Sequence, residues 1–292
     1  MANKTILKWA GSKASIMEQL RPLLPKTKRL IEPFGGSMAI FMNTDYDEYI
    51  IGDINYTLIN MYRVARSDPD GLIEATRQVF SSSYQNSHDK LDERERYYLL
   101  RSRFNNQGLN PLYQAAYFIY LNRHGFRGLC RYNNDGWFNV PYGNYKQPYF
   151  PEQEILAFVT RARNKAVRFG NVIADIKVHF ECKDWFELLN EINTQDGIYC
   201  DPPYMGTKGS FSTYWKAGFT DIDHENLAYT LKSRAAVFDC QVTVSNSIEA
   251  KELYADLGFT IHEIEAPRTI AVNGNRKPAK EIIAVLNGVN CG

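Results

Sequence analysis

The stretch GIYCDPPY, residues 197–204, places a carboxylate, two prolines and a tyrosine directly after an apolar run. The Asp201 carboxylate and the Pro202 carbonyl both accept hydrogen bonds, and proline has no N–H of its own to donate. Two such acceptors suit the exocyclic –NH2 group of a nucleobase, and Tyr204 offers a flat face for stacking. When both amine protons are held, the nitrogen lone pair is localised and can attack an electrophilic methyl group. A strand-ending Pro-Pro turn without chemistry is the alternative interpretation.

Three further motifs indicate a cofactor that contains adenosine. IEPFGGS, residues 31–37, predicts a strand, a Gly-Gly turn and an apolar helix at 38–42, whose first N–H groups can bind an anion. Asp53 in YIIGDIN follows about 20 positions later, the offset at which an acid can accept hydrogen bonds from ribose hydroxyls. In LKWAGSK, residues 7–13, a short strand precedes Trp9, which could cover a base, and Lys13, which could neutralise a carboxylate. A tight turn, a helix cap and a solvated lysine are the structural alternatives.

Short apolar runs must form the strands that position these motifs, and they lie at residues 30–31, 49–51, 198–200, 242–244, 259–261 and 282–285. We predict a helix capped by Asp223 that continues to Val237, and another at 248–257 that ends at Gly258. Alternating strands and helices predict a largely parallel sheet with helices on both faces. Asp201 should then lie at the carboxyl ends of the strands, where open sheets of this class bind ligands.

The alternation stops between about residues 56 and 148, where helix signals replace the strands. Asp68-Pro69 and Asn110-Pro111 each predict a helix start, and residues 92–104 form a charged amphipathic segment. Asn134-Asp135-Gly136 predicts the turn of a β-hairpin. Pro151 predicts another helix start, and strands resume near Ile176. We therefore expect an α/β domain with a helical insertion that carries a hairpin.

Composition sets the class of protein. The chain has 292 residues, a net charge of +1 and a mean hydropathy of −0.40. No apolar run reaches the roughly 20 residues of a membrane span, and the start of the chain lacks a secretory signal pattern. The five cysteines form no C-x-x-C pair, which argues against a metal site or a disulfide framework. We expect a cytoplasmic protein with no membrane partner and no metal.

The motifs together resemble the Dam-type DNA adenine-N6 methyltransferases of bacteria and phages, the D12 class. The resemblance rests on seven segments in the family's order: LKWAGSK, IEPFGGS, YIIGDIN, YLNRHGFRGLCRYN, FNVPYGNYKQPYFP, YCDPPY and PRTIAVNGNRK. It implies a Rossmann-like sheet of the S-adenosylmethionine-dependent methyltransferases. Residues 1–56 and 149–292 would form the catalytic domain and 57–148 an inserted target-recognition domain. Cofactor turn first and D-P-P-Y last is the family's alpha arrangement.

The same resemblance implies a role for each motif residue. S-adenosyl-L-methionine would be the methyl donor and S-adenosyl-L-homocysteine the product. Asp201, Pro202 and Tyr204 would be catalytic. The cofactor would be bound by Trp9, Ala10, Lys13, Phe34 and Gly35 at its methionine end, by Asp53 at the ribose, by Asp184 at the adenine, and by Asp201. Phe219 would close over the pocket, and Ser245-Asn246 with residues 268–277 would contact the pocket wall and the DNA backbone.

The insertion has a local composition that suits double-stranded DNA. Residues 121–150 contain four basic side chains and one acid, Asp135, with aromatic residues between them. By the resemblance, Leu129 and Arg131 would read base pairs and Phe126 with Arg127 would act at the orphan thymine. The predicted DNA-binding set is Lys8, Phe126, Arg127, Leu129, Arg131, Asn133, Asn144 and Tyr145. Asn144 stands where enterobacterial relatives have an arginine, and Phe126-Arg127 replaces their Tyr-Asn.

The predicted function is methyl transfer to N6 of an adenine flipped out of duplex DNA, with GATC as the leading site, by a monomeric enzyme. A methyltransferase for another planar amine, such as cytosine N4 or a glutamine side chain, is one alternative. A sequence-specific DNA-binding protein with an inactive catalytic site is the other.

Overall fold

A central sheet of seven strands organises the part of the chain that the computed structural model describes, residues 2–81, 92–106, 108–164, 166–169, 172–206, 218–267 and 279–288. Its strands are β1 (Arg29–Glu32), β2 (Glu48–Gly52), β5 (Val178–Glu181), β6 (Gly197–Cys200), β7 (Gln241–Ser247), β8 (Thr260–Ala266) and β9 (Ala279–Leu286). Their order is β5-β2-β1-β6-β7-β9-β8, and only β9 runs antiparallel to its neighbours in this sheet. The predicted Rossmann-like α/β fold is confirmed.

The connections between strands determine where a ligand can bind. The chain passes from β1 to β2 and β5 on one side, and then returns to β6 and β7 on the other side of β1. This reversal creates a crevice between the carboxyl ends of β1 and β6, the usual ligand position in open α/β sheets. Every residue of β6 is buried, as expected for a parallel strand covered on both faces. Asp201 follows β6 directly and therefore lies at this crevice.

Helices cover the sheet and build the insertion. Their bounds are α1 (Met17–Leu20), α2 (Ala39–Asn43), α3 (Tyr56–Ser67), α4 (Pro69–Phe80), α5 (Glu93–Asn105), α6 (Pro111–His124), α7 (Glu152–Asn164), α8 (Trp185–Leu189), α9 (Asp221–Phe238) and α10 (Lys251–Asp256). The predicted helix starts in the insertion are confirmed, because the side chains of Asp68, Asp92 and Asn110 each accept a hydrogen bond from the first turn. No helix of the described residues is long and apolar enough to cross a membrane.

Two of the predicted elements were wrong in detail. Asp223 does not cap α9: Thr220 does, and Asp223 is the third helical residue, whose carboxylate accepts the Thr220 N–H in a capping box. The predicted strand at residues 7–8 is absent from the described chain at that position. The Lys8 backbone pairs instead with the side-chain amide of Asn122, which accepts the Lys8 N–H at 2.8 Å and donates to the Lys8 carbonyl at 2.8 Å.

The insertion ends in a turn-rich segment followed by an unpredicted pair of strands. The turn at residues 133–136 is confirmed, since Gly136 has φ = 80° and its N–H donates to the Asn133 carbonyl at 2.9 Å. The hairpin arms pair only through isolated bridges, Tyr132 with Phe138 and Gly125 with Tyr142. The sequence prediction missed a short antiparallel pair, β3 (Ala166–Phe169) and β4 (Val172–Ile176), before β5.

One hydrophobic core extends from the sheet into the insertion. It joins Tyr49 of β2 and Phe180 of β5 to Tyr62 of α3 and to Phe118 and Tyr120 of α6, all buried. A second core on the other sheet face is built from side chains of α9, α10, β6 and β7. The insertion therefore packs on the sheet over a continuous apolar surface and holds its hairpin near the crevice.

Candidate active site

Asp201 and Lys13 form an ion pair in the crevice. The distance from Lys13 Nζ to Asp201 Oδ2 is 2.7 Å, and the lysine side chain is only 4% exposed. The same ammonium donates to the Gly11 carbonyl at 2.8 Å. The turn at residues 10–11 thus brings Lys13 back onto the end of β6, where the carboxylate that it pairs with is Asp201.

Tyr204 completes the arrangement around the Lys13 ammonium, which lies 5.0 Å from the centroid of the Tyr204 ring. The Lys13 ammonium therefore contacts a carboxylate and an aromatic face at the same time. An exocyclic amine on a planar ring can also use a carboxylate as acceptor and an aromatic face for stacking. Pro202, between Asp201 and Tyr204 in the sequence, is buried, and Pro203 is half-buried. The two proline rings keep the backbone of the motif rigid.

The protonation of Asp201 depends on opposing influences. Burial raises the pKa of Asp201 to about 6, the nearby Lys13 ammonium opposes this rise, and the charge of Glu281 adds to it. At neutral pH the carboxylate is still predominantly ionised. It can therefore accept hydrogen bonds, and its partial burial strengthens each of them.

The residues after the motif are fixed by the end of β7. Met205 N–H donates to Asn246 Oδ1 at 3.1 Å, and Ser247 Oγ donates to the Met205 carbonyl at 2.8 Å. Asn246 is fully buried, and the buried Ser245 Oγ is hydrogen-bonded to the Tyr199 hydroxyl at 2.9 Å, so both residues brace the segment after the motif and a contact with a ligand would be an additional role. The other predicted wall segment, residues 268–277, lies outside the described residues.

The glycine turn after β1 approaches its neighbours closely. Gly35 N–H donates to the Gly52 carbonyl at 2.7 Å, and a Cβ at Gly35 would lie 2.6 Å from Ile51 Cγ2. Gly36 has φ = 46°, and a Cβ there would lie 2.9 Å from Trp9 Nε1. Only glycine fits at these two positions, and Trp9 consequently packs directly over the turn.

Asp53 lies beside this turn with part of its acceptor capacity already used. Its Oδ2 accepts the Gly36 N–H at 3.2 Å and its Oδ1 accepts the Asn55 N–H at 2.9 Å. Each oxygen retains acceptor capacity for another donor, such as a ribose hydroxyl. Burial raises the pKa of Asp53 to about 6, and the two backbone N–H groups oppose this rise.

Glu32 is a buried acid to which the sequence analysis assigned no role. It is 2% exposed, and its Oε2 has no hydrogen-bond partner among the described residues. Burial, followed by the charges of Asp201 and Asp53, raises its pKa well above the usual range. Three acids thus lie close together with one lysine, and the carboxyl oxygens form an acceptor set that fits a ligand with hydroxyl and ammonium groups. S-adenosyl-L-methionine has both features.

Other predicted cofactor residues lie around this set. The Phe34 and Phe219 rings meet edge to face with centroids 5.8 Å apart, and Phe219 also packs on His224. Ala10 is half-buried in the turn that precedes Lys13. Asp184 caps α8 by accepting the Glu187 N–H at 2.8 Å, so a cofactor contact would be an additional role for it.

The predicted DNA-reading residues of the insertion share one face. Along residues 129–133 burial alternates: Cys130 and Tyr132 are buried, while the three predicted readers Leu129, Arg131 and Asn133 are half-exposed. This period of two is that of an extended strand. In the present structure the Arg131 guanidinium donates to Asn139, at 2.7 Å to Oδ1 and 3.2 Å to the carbonyl.

The remaining predicted DNA-binding residues lie together beside this face. Arg127 has φ = 57° and its guanidinium carbon lies 5.0 Å from the ring of Phe126, which is 41% exposed. Arg127 N–H donates to the Tyr145 hydroxyl at 2.9 Å, and Lys8 Nζ lies 4.1 Å from the Tyr145 ring. Asn144 also has a positive φ, 51°. Left-handed backbone at two non-glycine residues indicates a turn conformation held by its surroundings.

The chain matches one family model and is similar over nearly its whole length to several known proteins. A family model described as D12 class N6 adenine-specific DNA methyltransferase matches residues 9–270. The chain is 44% identical over 292 residues to the retron Ec67 DNA adenine methylase of Escherichia coli, covering 98% of this chain and 92% of that protein. It is 35% identical over 288 residues to the DNA adenine methylase of Serratia marcescens, covering 97% and 98%. The Vibrio cholerae DNA adenine methylase is 34% identical over 288 residues, with coverage of 97% and 96%.

Proposed function

We propose that this chain, which belongs to the D12 class of N6 adenine-specific DNA methyltransferases, methylates the adenine of GATC in duplex DNA after flipping that base out of the stack. The observation that carries the proposal is the position of the Lys13 ammonium, between the Asp201 carboxylate and the Tyr204 ring. An adenine amine needs the same acceptor and the same face.

S-adenosyl-L-methionine would supply a methyl group on a sulfonium, an electrophile with a good leaving group. Asp53 would accept hydrogen bonds from the ribose hydroxyls, and the Gly35-Gly36 turn with Trp9 would line the methionine end. Glu32 Oε2 has no hydrogen-bond partner among the described residues, and a hydroxyl or ammonium group of the cofactor would supply one. The chain thus contributes binding and orientation, which account for most of the rate when the leaving group is already good.

For the target base, Asp201 and the Pro202 carbonyl would each accept one N6 proton, and Tyr204 would stack on the ring. S-adenosyl-L-methionine would give its methyl group to N6 and leave as S-adenosyl-L-homocysteine, and N6 would then lose one proton. Asp201, which holds the amine, would accept that proton. Lys13 has to leave its present position before the amine can occupy it, while it stays close enough to keep Asp201 ionised.

For recognition, the half-exposed Leu129, Arg131 and Asn133 would face the bases, and Lys8 and Tyr145 would contact them from the adjoining surface. Phe126, exposed and backed by Arg127, would occupy the gap that the flipped adenine leaves. Arg131 would exchange its hydrogen bonds with Asn139 for a guanine edge, a bidentate pairing worth about 1–3 kcal/mol of discrimination.

The direct test is transfer of tritiated methyl groups from S-adenosyl-L-methionine to duplexes that contain GATC or a scrambled site, followed by identification of the modified base. We expect N6-methyladenine in the GATC duplex and no transfer by Asp201→Ala, which should still bind DNA. Tritiated methyl groups on N4 of cytosine would show that the target base is cytosine and not adenine. DNA binding without transfer by the unaltered protein would support the inactive DNA-binding alternative.

A further inference from the structure

Glu281 is a half-buried acid at the active-site edge of the sheet that no step of the proposed reaction uses. It lies near the start of β9, opposite Ser247 of β7 and Ile264 of β8. Because β9 is antiparallel to β7, its first residues lie where the parallel strands end. Glu281, near the start of antiparallel β9, therefore lies at the same crevice as Asp201, which follows the end of parallel β6.

The contact of Glu281 is with the motif itself. The Tyr204 hydroxyl donates a hydrogen bond to Glu281 Oε2 at 2.5 Å. On the other side of this ring lies the Lys13 ammonium, 5.0 Å from the centroid. Together with burial, the Glu281 charge contributes to raising the pKa of Tyr204, so the phenol stays protonated and remains the donor. The ring is therefore tethered at its hydroxyl end, while its face remains directed at the position of the amine.

We propose that Glu281 is a positioning residue for methyl transfer that acts through Tyr204. Its carboxylate sets the tilt of the ring, and by accepting the phenol hydrogen bond it increases electron density on the ring face. Positive charge develops on the attacking nitrogen as the N–C bond forms, and an electron-rich face stabilises that charge more in the transition state than in the bound substrate. This role rests on the proposed function and adds a residue to it.

The test compares Glu281→Ala, Glu281→Gln, Tyr204→Phe and the double variant Tyr204→Phe/Glu281→Ala in single-turnover methylation of a GATC duplex. Loss of one hydrogen bond to a charged group should slow Glu281→Ala by about tenfold or more. Glu281→Gln keeps an acceptor without the charge and should fall between it and the unaltered protein. The DNA KM should change by less than about twofold, because the bond acts on the transition state. Glu265→Ala, which removes an exposed acid from neighbouring β8, is the matched control and should be unchanged.

The double variant decides whether Glu281 acts through the tyrosine. If it does, removing Glu281 from the Tyr204→Phe protein should cost little further rate, since the shared hydrogen bond is already gone. A full additional loss would overturn the proposal, as would a rate for Glu281→Ala equal to that of the unaltered protein. If Glu281→Ala does not fold, as judged by stabilisation with S-adenosyl-L-homocysteine, the nearly isosteric Glu281→Gln carries the test. No transfer by the unaltered protein would refute the proposed function itself, whereas transfer unaffected by Glu281 would refute only this role.

Discussion

At the scale of single residues, the site combines acids that burial would neutralise with one lysine that keeps the central acid charged. Asp201 retains its charge because Lys13 lies 2.7 Å away. Glu32 has no such cation within hydrogen-bond distance among the described residues, and burial raises its pKa well above the usual range. The proposed tasks differ accordingly: an ionised Asp201 would accept hydrogen bonds from the target base, and Glu32 would regain its charge only beside a cationic ligand group.

The first prediction concerns the acid limb of the activity profile. Burial raises the pKa of Asp201 and of Asp53 to about 6, so protonation of both groups should remove activity below that pH. Because both acids must be ionised, kcat/KM for S-adenosyl-L-methionine should fall by more than about tenfold per pH unit. Asp53→Asn should reduce that slope to about tenfold. A single-proton limb near pH 4 in the unaltered protein would contradict the assignment of both pKa values.

The second prediction concerns cofactor affinity. Asp53→Asn removes the charge that would accept the ribose hydroxyls, and hydrogen bonds to charged groups contribute about 1.5–3 kcal/mol. We expect the Kd of S-adenosyl-L-homocysteine, measured by titration calorimetry, to rise by about tenfold or more. Asp47→Asn, at an exposed acid just before β2, is the control and should bind as the unaltered protein does. Equal affinity of the two variants would exclude Asp53 from the ribose site.

At the scale of elements, the hairpin of the insertion is anchored to the start of α3, just after the loop that carries Asp53. The Tyr132 hydroxyl lies 2.5 Å from Thr57 Oγ1, which donates to Asn55 Oδ1 at 2.7 Å. Since Thr57 uses its own proton on Asn55, Tyr132 must be the donor in the first bond. This anchor fixes the register of residues 129–133, and a shift of one residue would bury the three predicted readers.

The third prediction follows from this anchor. Tyr132→Phe loses one neutral hydrogen bond of about 0.5–1.5 kcal/mol and should loosen the reading strand without unfolding it. The ratio of kcat/KM for GATC to that for a site with one changed base pair should fall several-fold, while kcat on GATC stays within about twofold. Thr57→Val should reproduce the effect. Tyr229→Phe, which alters an exposed tyrosine of α9, should leave the ratio unchanged.

A loss confined to kcat in Tyr132→Phe would show that the bond serves the catalytic crevice instead of the hairpin. Methylation of a small panel of single-substitution duplexes distinguishes these outcomes. The same panel tests Arg131→Ala, which should relax discrimination at one base pair. Equal losses on all duplexes would identify Arg131 as a phosphate contact.

At the scale of the whole molecule, the insertion and the sheet share one core and are joined by arginines that donate to backbone carbonyls. Arg63 of α3 donates to the Phe180 carbonyl of β5 at 2.9 Å, and Arg66 of the same helix donates to the Val178 carbonyl of β5 at 2.6 Å. Arg123 of α6 donates to the Ile6 carbonyl near the start of the chain. The division at residues 57 and 148 stays a prediction about function, because the apolar contacts cross it.

The fourth prediction is that the protein unfolds in one cooperative transition. Because the insertion and the sheet share a core and are joined by hydrogen bonds, we expect neither to be stable alone. Far-UV circular dichroism and tryptophan fluorescence should therefore report the same midpoint of unfolding. S-adenosyl-L-homocysteine at about 100 times its Kd should stabilise the whole protein by about 2.7 kcal/mol and move both signals together. Two resolved transitions, of which the ligand shifts only one, would show that the insertion folds independently.

Much of this arrangement could be predicted from the order of residues alone. The strand ends at Glu32, Gly52 and Cys200, the Gly-Gly turn and the Asp201-Pro202-Pro203-Tyr204 motif depend on local patterns, namely apolar runs ended by glycine, proline or an acid. Such patterns are local because burial of a parallel strand requires a continuous apolar run. The alternation of burial along residues 129–133 is local as well.

Contacts between distant segments were decided only by the tertiary structure. The pairing of Lys13 with Asp201 spans most of the chain, and Glu281 reaches Tyr204 because an antiparallel strand enters the sheet between β7 and β8. Nothing in the sequence around Glu281, the one acid of β9, indicates which residue it will contact. Strand order and direction, which arise from packing the whole sheet, determine which side chains meet at the crevice. The sequence alone thus determined the chemical groups and the elements that carry them, and the fold decided which of those groups act together.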